Sequence, residues 1–190
     1  MKFGGAAVAT PAHFARIAEI INRRSRHFQR IVVVVSAMAN KTDELIALAK
    51  AVHPSPPRRE LDMLVSVGER ISISLLAMAL DAAGKEAISF TGSQSGIITT
   101  AEHTDARIIE VRPWRLLPPL EEEKVVIVAG FQGVSRKGEI TTLGRGGGRI
   151  RQPWLLEWPC VQKKLSFTRM LKGFIPKIPK TTLRRICIRR

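Results

Sequence analysis

Ile31-Val-Val-Val-Val-Ser36 is the stretch that decides the fold class of this chain. A continuous run of β-branched residues is typical of a strand buried on both faces of a parallel sheet, because neither side of such a strand meets water. Val125–Ala129 repeats the pattern, and Ala87–Thr91 and Ala106–Val111 are further predicted strands. Met1–Gly5 is a clipped first strand that ends in a glycine turn.

Helices are predicted between these strands. Pro11–Arg26 has apolar residues at helical spacing, and a proline suits its first turn. Asp43–Val52 and Glu60–Ala83 are the next two helices. Strands that alternate with helices predict an α/β fold, here a three-layer sandwich with a mostly parallel sheet.

Two prolines fall inside a further predicted helix, Arg115–Glu123. They are Pro118 and Pro119. An interior proline costs a helix about 3 kcal/mol, so we expect a local defect there.

Loops that follow strands are the first places to look for a binding site, because open parallel sheets bind ligands outside the carboxyl ends of their strands. Four polar or glycine-rich segments occupy such positions. They are Lys2–Gly5, Ser36–Thr42, Gly92–Ser95 and Gly130–Gly133.

Lys2-Phe3-Gly4-Gly5 combines a cation with paired glycines after a strand. Backbone N–H groups at such a turn can approach a phosphate, and the lysine adds a point charge. Two glycines after a strand are also an ordinary turn, and no Gly-Lys-Ser/Thr follows at Walker A spacing. Both interpretations stay open on these residues alone.

Glu69 and Arg145 are two further candidates with ordinary alternatives. Glu69 lies in an otherwise apolar helix, where it is either a surface residue paired with a Lys or Arg or a carboxylate for a substrate ammonium. Arg145, within Gly144–Gly147, either grips a carboxylate or belongs to a flexible Gly/Arg linker. His103 lacks an evident Ser or Cys partner, so we expect a loop residue rather than a catalytic base.

Basic residues concentrate in the last part of the chain. Residues 149–190 hold 12 of the 31 Lys and Arg residues and one of the 16 Asp and Glu residues. Such a segment could bind polyanions, but its aromatic residues are too irregular for a stacking platform. Its apolar residues follow neither a helical nor a strand period, so we expect this segment to be poorly ordered.

The sequence does not indicate a metal-binding, disulfide-rich, secreted or membrane protein. Cys160 and Cys187 have no metal-ligand or disulfide-framework spacing, so no metal site is expected. No signal peptide precedes the first strand and no stretch reaches about 18 uninterrupted apolar residues. We therefore expect a cytoplasmic protein with no membrane partner and no specific nucleic-acid partner.

Seven ordered blocks within residues 1–147 together resemble the aspartokinases of the amino-acid kinase family. The blocks are Lys2–Gly5, Val35–Met38 with Thr42–Leu45, Arg59–Met63, Gly68–Ser72, Phe90–Gln94, Val128–Gly133 and Thr141–Gly147. The resemblance implies an amino-acid kinase fold and transfer of the ATP γ-phosphoryl group to the side-chain carboxylate of L-aspartate, with Mg²⁺ accompanying ATP. This reaction is the first step towards lysine, threonine and methionine.

The resemblance also implies a role for individual residues. Lys2 would neutralise the transferring phosphate, and Phe3, Gly4 and Gly5 would line its loop. Ser36 and Thr42 would contact the substrates. Glu69 would bind the ammonium group of aspartate. Its carboxylate would be bound by Arg145 with Gly146 and Gly147. Residues 1–147 would thus be the aspartate-binding half of a kinase domain. Homo-oligomers occur in the family, but none is expected of this chain.

The sequence departs from the family pattern after Gly147. The family continues with Ser-Asp-Thr-Thr-Ala, whereas this chain continues Gly148-Arg-Ile-Arg-Gln-Pro153. One set of codons permitted for residues 148–159 can be read from the last base of the Gly148 codon as Ser-Asp-Thr-Thr-Ala-Val-Ala-Leu-Gly-Met-Ala. Residues 168–179, shifted likewise, can encode the family's Thr-Asp-Val-Glu-Gly segment. We infer a frameshift at or just before Gly148 and expect the chain as read to be inactive.

Re-sequencing the DNA across codons 144–150 tests this inference. We expect the alternative frame to contain the Ser-Asp-Thr-Thr and Thr-Asp-Val-Glu-Gly segments and to continue into a longer family-like sequence. DNA with no family-like text in that frame would make the basic segment a genuine part of the protein.

Overall fold

The computed structural model describes residues 1–144. The strands there are β1 (Lys2–Phe3), β2 (Val32–Val35), β3 (Ala87–Phe90), β4 (Ile97–Thr99), β5 (Ile108–Val111), β6 (Val125–Ala129), β7 (Gln132–Ser135) and β8 (Ile140–Thr142). The α-helices are α1 (Pro11–Ser25), α2 (Lys41–Val52), α3 (Arg58–Val65), α4 (Val67–Ala82) and α5 (Leu117–Glu121), and short 3₁₀ helices occupy Gly5–Val8 and Pro113–Leu116.

The central sheet, sheet A, contains four parallel strands in the order β1-β2-β6-β3. Its two middle strands are the valine-rich segments, and β2 pairs with β6 over four residues from Val32 opposite Val126 to Val35 opposite Ala129. Every residue of both strands is buried. This confirms the prediction of a parallel sheet covered on both faces.

Alternate residues of the central strands belong to two separate cores. Val33, Val35 and Ile127 pack with helices α1 and α4 on one face. Val34 and Val128 pack on the other face, against residues that include Phe90, Ile97, Leu116 and Leu120. Because side chains along a strand alternate between faces, one apolar run supplies both cores.

A second sheet, sheet B, covers the other face of sheet A together with α5. Its order is β5-β4-β7-β8, with β4 parallel to β7 and the outer pairs antiparallel. The predicted strand Ala106–Val111 is observed as Ile108–Val111 in this sheet, while Ala106 makes an isolated bridge to Leu143. The short strands β4, β7 and β8 lack a long apolar run and were not predicted.

The single helix predicted over Glu60–Ala83 is two helices, α3 and α4, that meet at Ser66. The Gln132 side chain donates its Nε2 proton to the Ser66 carbonyl at 2.9 Å. A side chain that inserts into the backbone hydrogen-bond ladder is a known cause of a helix break. The partner comes from β7, far along the chain, so the local sequence gave no sign of the break.

The defect expected at Pro118 and Pro119 is absent, because α5 begins at Leu117 and the prolines lie in its first turn. Residues in a first turn have no intrahelical acceptor for their N–H groups, so a missing N–H costs little there. The predicted helix Arg115–Glu123 is divided into a 3₁₀ turn and this short helix.

Arg58–Ala82 is long and apolar enough to cross a membrane by length and composition, with a mean hydropathy of 1.6 in its most apolar window. Nearly half of that window, 44%, is buried inside the fold. The segment also carries the buried carboxylates of Asp62 and Glu69. These features are those of a core helix pair.

Candidate functional site

Three predicted loops meet at one edge of sheet A. Strands β1, β2 and β6 are parallel and in register, with Phe3 opposite Val35 and Val35 opposite Ala129. Their carboxyl ends therefore lie side by side. Two backbone hydrogen bonds continue the pairing beyond the strands: Ser36 N–H donates to the Phe3 carbonyl at 3.1 Å, and Gly130 N–H to the Val35 carbonyl at 2.8 Å.

The glycine turn after β1 lies directly against the loop after β2. A Cβ atom at Gly5 would be 3.0 Å from the Ala37 carbonyl oxygen, which leaves little space for any side chain. Gly4 is exposed and has open space around the position of its missing Cβ. The turn therefore presents backbone to solvent at Gly4 while Gly5 holds it close to the neighbouring loop.

Glu69 lies in the first turn of α4 and is only 2% exposed. Its Oε1 accepts a hydrogen bond of 3.1 Å from Ala37 N–H, and its Oε2 is buried without a hydrogen-bond partner among the described residues. The alternative of a surface glutamate paired with a Lys or Arg is therefore wrong. A buried carboxylate oxygen without a donor is costly unless a ligand supplies one.

Burial raises the pKa of the Glu69 carboxyl to about 7, and the backbone N–H groups of Ala37 and of Glu69 itself oppose this shift only in part. An isolated charge in an apolar setting is unfavourable, so the group holds its proton to a higher pH. A cation that donates to Oε2 would favour the ionised form. Perturbed carboxylates of this kind are concentrated at functional sites.

The first turn of α2 borders the same region. A Cβ atom at Gly68 would be 2.9 Å from the Ala37 Cβ and 3.8 Å from the Lys41 Cγ, so α2, α4 and the loop after β2 pack closely. Thr42, next to Lys41, is partly buried. The left-handed backbone of Asn40, with φ of 64°, turns the chain into this helix.

The structure thus brings together six of the predicted site residues. Phe3, Gly4, Gly5 and Ser36 are at the carboxyl ends of β1 and β2, Thr42 is in the neighbouring turn of α2, and Glu69 is beneath the loop after β2. Lys2 is in β1 opposite Val34 and is partly buried. Arg145, Gly146 and Gly147 lie outside the described residues, as does the basic segment.

Asp62 is a buried polar residue to which sequence reasoning assigned no role. Its carboxylate accepts hydrogen bonds from the Thr142 hydroxyl at 2.5 Å and from Thr104 N–H at 3.0 and 3.1 Å, and it pairs with His103 Nδ1 at 2.9 Å. These contacts join α3 to β8 and to the loop before β5. His103 is therefore a structural loop residue, as expected. The sequence of α3, in which four of the eight residues are charged, did not distinguish Asp62 from the exposed charged residues.

Gln132 is the second polar residue that sequence reasoning missed. It is 2% exposed, and besides its bond to Ser66 its Oε1 lies 3.5 Å from Gly92 N. Gly92 must be a glycine at this contact, since a Cβ there would be 2.2 Å from the Gln132 carbonyl oxygen. The loop after β3 thus lies directly against the backbone at the start of β7.

The chain belongs to the amino acid kinase family, whose model matches residues 1–148. Within that family it is similar to aspartokinases. It is 54% identical over 147 residues to the aspartokinase of Mycobacterium bovis and 50% identical to that of Corynebacterium glutamicum. Each match covers 77% of this chain and 35% of the relative, so the chain spans about a third of the length of these relatives.

Solved structures give the same relationship. The chain is similar to aspartate kinase from Synechocystis, with a TM-score of 0.64, 48% identity, and coverage of 77% of this chain and 23% of the other. Escherichia coli aspartokinase III in complex with aspartate and ADP matches with a TM-score of 0.67 and 27% identity, over 77% and 43% of the two chains. The amino-acid kinase fold predicted from the resemblance is confirmed.

Exchange of Glu69 for Gln should stabilise the protein in a pH-dependent way. The unfolded carboxyl ionises from about pH 4.5, whereas the folded one holds its proton to about pH 7. The folded state therefore becomes less stable relative to the unfolded state as pH rises through that range. As pH rises from about 4.5 to about 7, we expect the free energy of unfolding of Glu69→Gln to increase by up to about 3 kcal/mol relative to that of the parent chain.

Urea unfolding at about pH 4.5 and pH 8 measures this difference. Glu86→Gln, which alters an exposed glutamate at the opposite edge of the sheet, is the matched control and should show no such trend. A stability difference between Glu69→Gln and the parent chain that does not change with pH would contradict the burial of an ionisable group.

Proposed function

We propose that residues 1–147 form the aspartate-binding part of an aspartokinase-type enzyme, which transfers the γ-phosphoryl group of ATP to the side-chain carboxylate of L-aspartate. The observation that carries the proposal is the Glu69 Oε2 atom, buried and without a donor, beside the loop after β2. The similarity of this stretch to curated aspartokinases supports the choice of amino acid. The complex of the Escherichia coli relative with aspartate and ADP supports both ligands.

Glu69 would bind the ammonium group of aspartate. The ammonium supplies the missing donor to Oε2, and the resulting ion pair would be shielded from water, where charged hydrogen bonds contribute about 1.5–3 kcal/mol. Arg145 would bind the α-carboxylate by its planar guanidinium, with Gly146 and Gly147 allowing close approach of the backbone. Thr42 and Ser36 would contact the substrates from the neighbouring loops.

Phosphoryl transfer would take place over the glycine turn after β1. Lys2 would neutralise charge on the transferring group, and the backbone around Gly4 and Gly5 would provide N–H donors. The described residues contain no cluster of three His, Cys, Asp or Glu side chains for a metal ion. When it accompanies ATP, Mg²⁺ would be bound chiefly by the phosphate oxygens of the nucleotide, as is common for this ion.

Ala6 and Ala7 distinguish this glycine turn from the family pattern, which has Thr-Ser at these positions. In the structure Ala6 is exposed and Ala7 N–H donates to the Gly4 carbonyl at 2.9 Å within the 3₁₀ turn. The turn thus forms without the two hydroxyl groups. Their loss would remove donors near the phosphate and weaken ATP binding.

Calorimetric titration with L-aspartate and with succinate, which lacks the ammonium group, tests the role of Glu69. We expect the parent chain to prefer L-aspartate and Glu69→Gln to lose about 10–100-fold in affinity for it, with little change for succinate. The preference should grow as pH rises through about 7, because only ionised Glu69 attracts the ammonium. Equal loss for both ligands would contradict the assignment, and Glu86→Gln should behave as the parent chain does.

Hydroxamate formation from aspartate and ATP tests the complete reaction. The family's nucleotide-binding segment is missing from residues 148–190 as read, so we expect no product from this chain. A gene restored to the alternative frame at codon 148 should give product, and Lys2→Ala or Glu69→Gln should abolish it. Activity of the chain as read that depends on Lys2 and Glu69 would show that residues 1–190 suffice for catalysis.

A further inference from the structure

Asp62 is fully buried in α3, and its carboxylate holds two other parts of the chain. On one side, its Oδ1 accepts a hydrogen bond of 2.5 Å from the Thr142 hydroxyl of β8. On the other side, both oxygens accept hydrogen bonds from Thr104 N–H, and Oδ2 pairs with His103 Nδ1 at 2.9 Å. The carboxylate therefore fixes β8 and the loop before β5 to the same point of α3.

The loop before β5 and the end of β8 also contact each other. Ala106 N–H donates to the Thr142 carbonyl at 3.0 Å, and Ala106 forms an isolated parallel bridge with Leu143. Leu143 N–H donates to the Phe131 carbonyl at 2.9 Å, which joins the end of β8 to the turn after β6. The residues that immediately precede the loop 144–147 are thus held by three separate elements.

Gly144 lies in direct contact with the loop before β5. A Cβ atom at Gly144 would be 1.9 Å from the Asp105 Oδ1 atom, so no side chain fits there while Asp105 keeps its position. Thr104, which precedes Asp105, has a left-handed backbone with φ of 69°. A β-branched residue rarely adopts this conformation without support, and the hydrogen bonds from Thr104 N–H to Asp62 supply it. Asp62 thereby also holds Asp105 beside Gly144.

We propose that Asp62 is a positioning residue for substrate binding, because it fixes the point at which the loop with Arg145 begins. Arg145 follows Gly144 directly in the chain and is three residues after Thr142. The inference rests on the proposed function, in which Arg145 binds the α-carboxylate of aspartate. Binding side chains have to be held within about 0.5 Å of their productive position, and hydrogen bonds to the elements that carry them do much of this.

Asp62 itself would not touch aspartate, because it has no exposed surface and its oxygens already have donors. Stability of the fold alone is a poor reason for a carboxylate here, since well-packed apolar residues often stabilise a core as well or better. A buried, fully bonded carboxylate instead selects one arrangement of its partners, because any other leaves it unsatisfied. The partners of Asp62 are the two segments that meet at Gly144.

The two ends of the proposed aspartate site should respond differently when the Asp62 contacts are disturbed. Glu69 lies in α4 and accepts a hydrogen bond from Ala37 N–H in the loop after β2, away from the contact between α3 and β8. We therefore expect recognition of the α-carboxylate to weaken and recognition of the ammonium group to persist. Three ligands separate the two effects: L-aspartate has both groups, succinate lacks the ammonium group, and β-alanine lacks the α-carboxylate.

Calorimetric titration of the full 190-residue chain with the Thr142→Val variant tests the inference. This exchange removes the hydroxyl group that bonds to Asp62 and keeps a β-branched side chain in β8, so the variant should fold. We expect its affinity for L-aspartate and for succinate to fall about tenfold, and its affinity for β-alanine to stay within about twofold of that of the parent chain. Thr142→Ser, which keeps the hydroxyl group, should bind all three ligands as the parent chain does.

Thr141→Val is the matched control, because it makes the same exchange at the neighbouring residue of β8. Thr141 is also buried, but its hydroxyl pairs with the Thr99 hydroxyl at 2.5 Å. Both variants lose one buried hydroxyl group, so urea unfolding should show similar losses of stability, and only Thr142→Val should lose affinity. Equal loss of affinity in the two variants, or a loss in Thr142→Val that includes β-alanine, would overturn the inference.

A double-mutant cycle separates this inference from the proposed function. Arg145→Ala should lower the affinity for L-aspartate, which would still bind through Glu69. Addition of Thr142→Val should then cost no further affinity, because the side chain that Asp62 positions is gone. Additive losses would overturn the inference and leave the role of Arg145 intact. A parent chain without affinity for L-aspartate, or an Arg145→Ala variant that binds as the parent does, would overturn the proposed function and this inference with it.

The contact between Gly144 and Asp105 provides an independent test. Gly144→Ala places a methyl group where the Asp105 carboxylate lies, so the start of the loop with Arg145 must shift. We expect Gly144→Ala to lower the affinity for L-aspartate and succinate about tenfold and to leave that for β-alanine unchanged. Asp105→Ala removes the atom that the methyl group meets, so the double variant should recover most of the affinity. No recovery in the double variant would overturn the inference.

Discussion

Strands β2 and β6 pair in parallel at the centre of sheet A, and this pairing positions both the layers of the fold and the loops of the site. Four residues of each strand are in register and buried on both faces, so they supply apolar surface to the helices on one side and to sheet B on the other. The same register aligns the ends of the strands. The loops that begin at Ser36 and Gly130 are neighbours for this reason, and the glycine turn after β1 joins them.

Buried polar side chains join the layers around this sheet. Asp62 and Gln132 are almost fully buried, and both exchange hydrogen bonds with groups far away in sequence. The Asp62 carboxylate holds Thr104, a β-branched residue with an unfavourable φ of 69°, which such residues rarely adopt without support. A buried group with all its partners stabilises one arrangement of the loops, because any other leaves it unsatisfied.

Glu69 is a buried polar residue that lacks one hydrogen-bond partner, and it lies where the proposed function places the substrate ammonium. One of its oxygens is satisfied by Ala37 and the other is not, and burial raises its pKa accordingly. Proteins tolerate such local conflicts mainly at functional sites, where a ligand completes the arrangement.

The amino-acid sequence was enough to predict the central strands, helices α1 and α2 and the order of the motif blocks, because local apolar periodicity and glycine turns carry that information. It did not determine sheet B, whose short strands lack a strong pattern, or the break at Ser66, which Gln132 makes from β7. Nor did it determine the state of Glu69: a glutamate in an apolar helix fits the surface or the interior equally well. Only tertiary packing decided that, because burial is a property of what surrounds a residue.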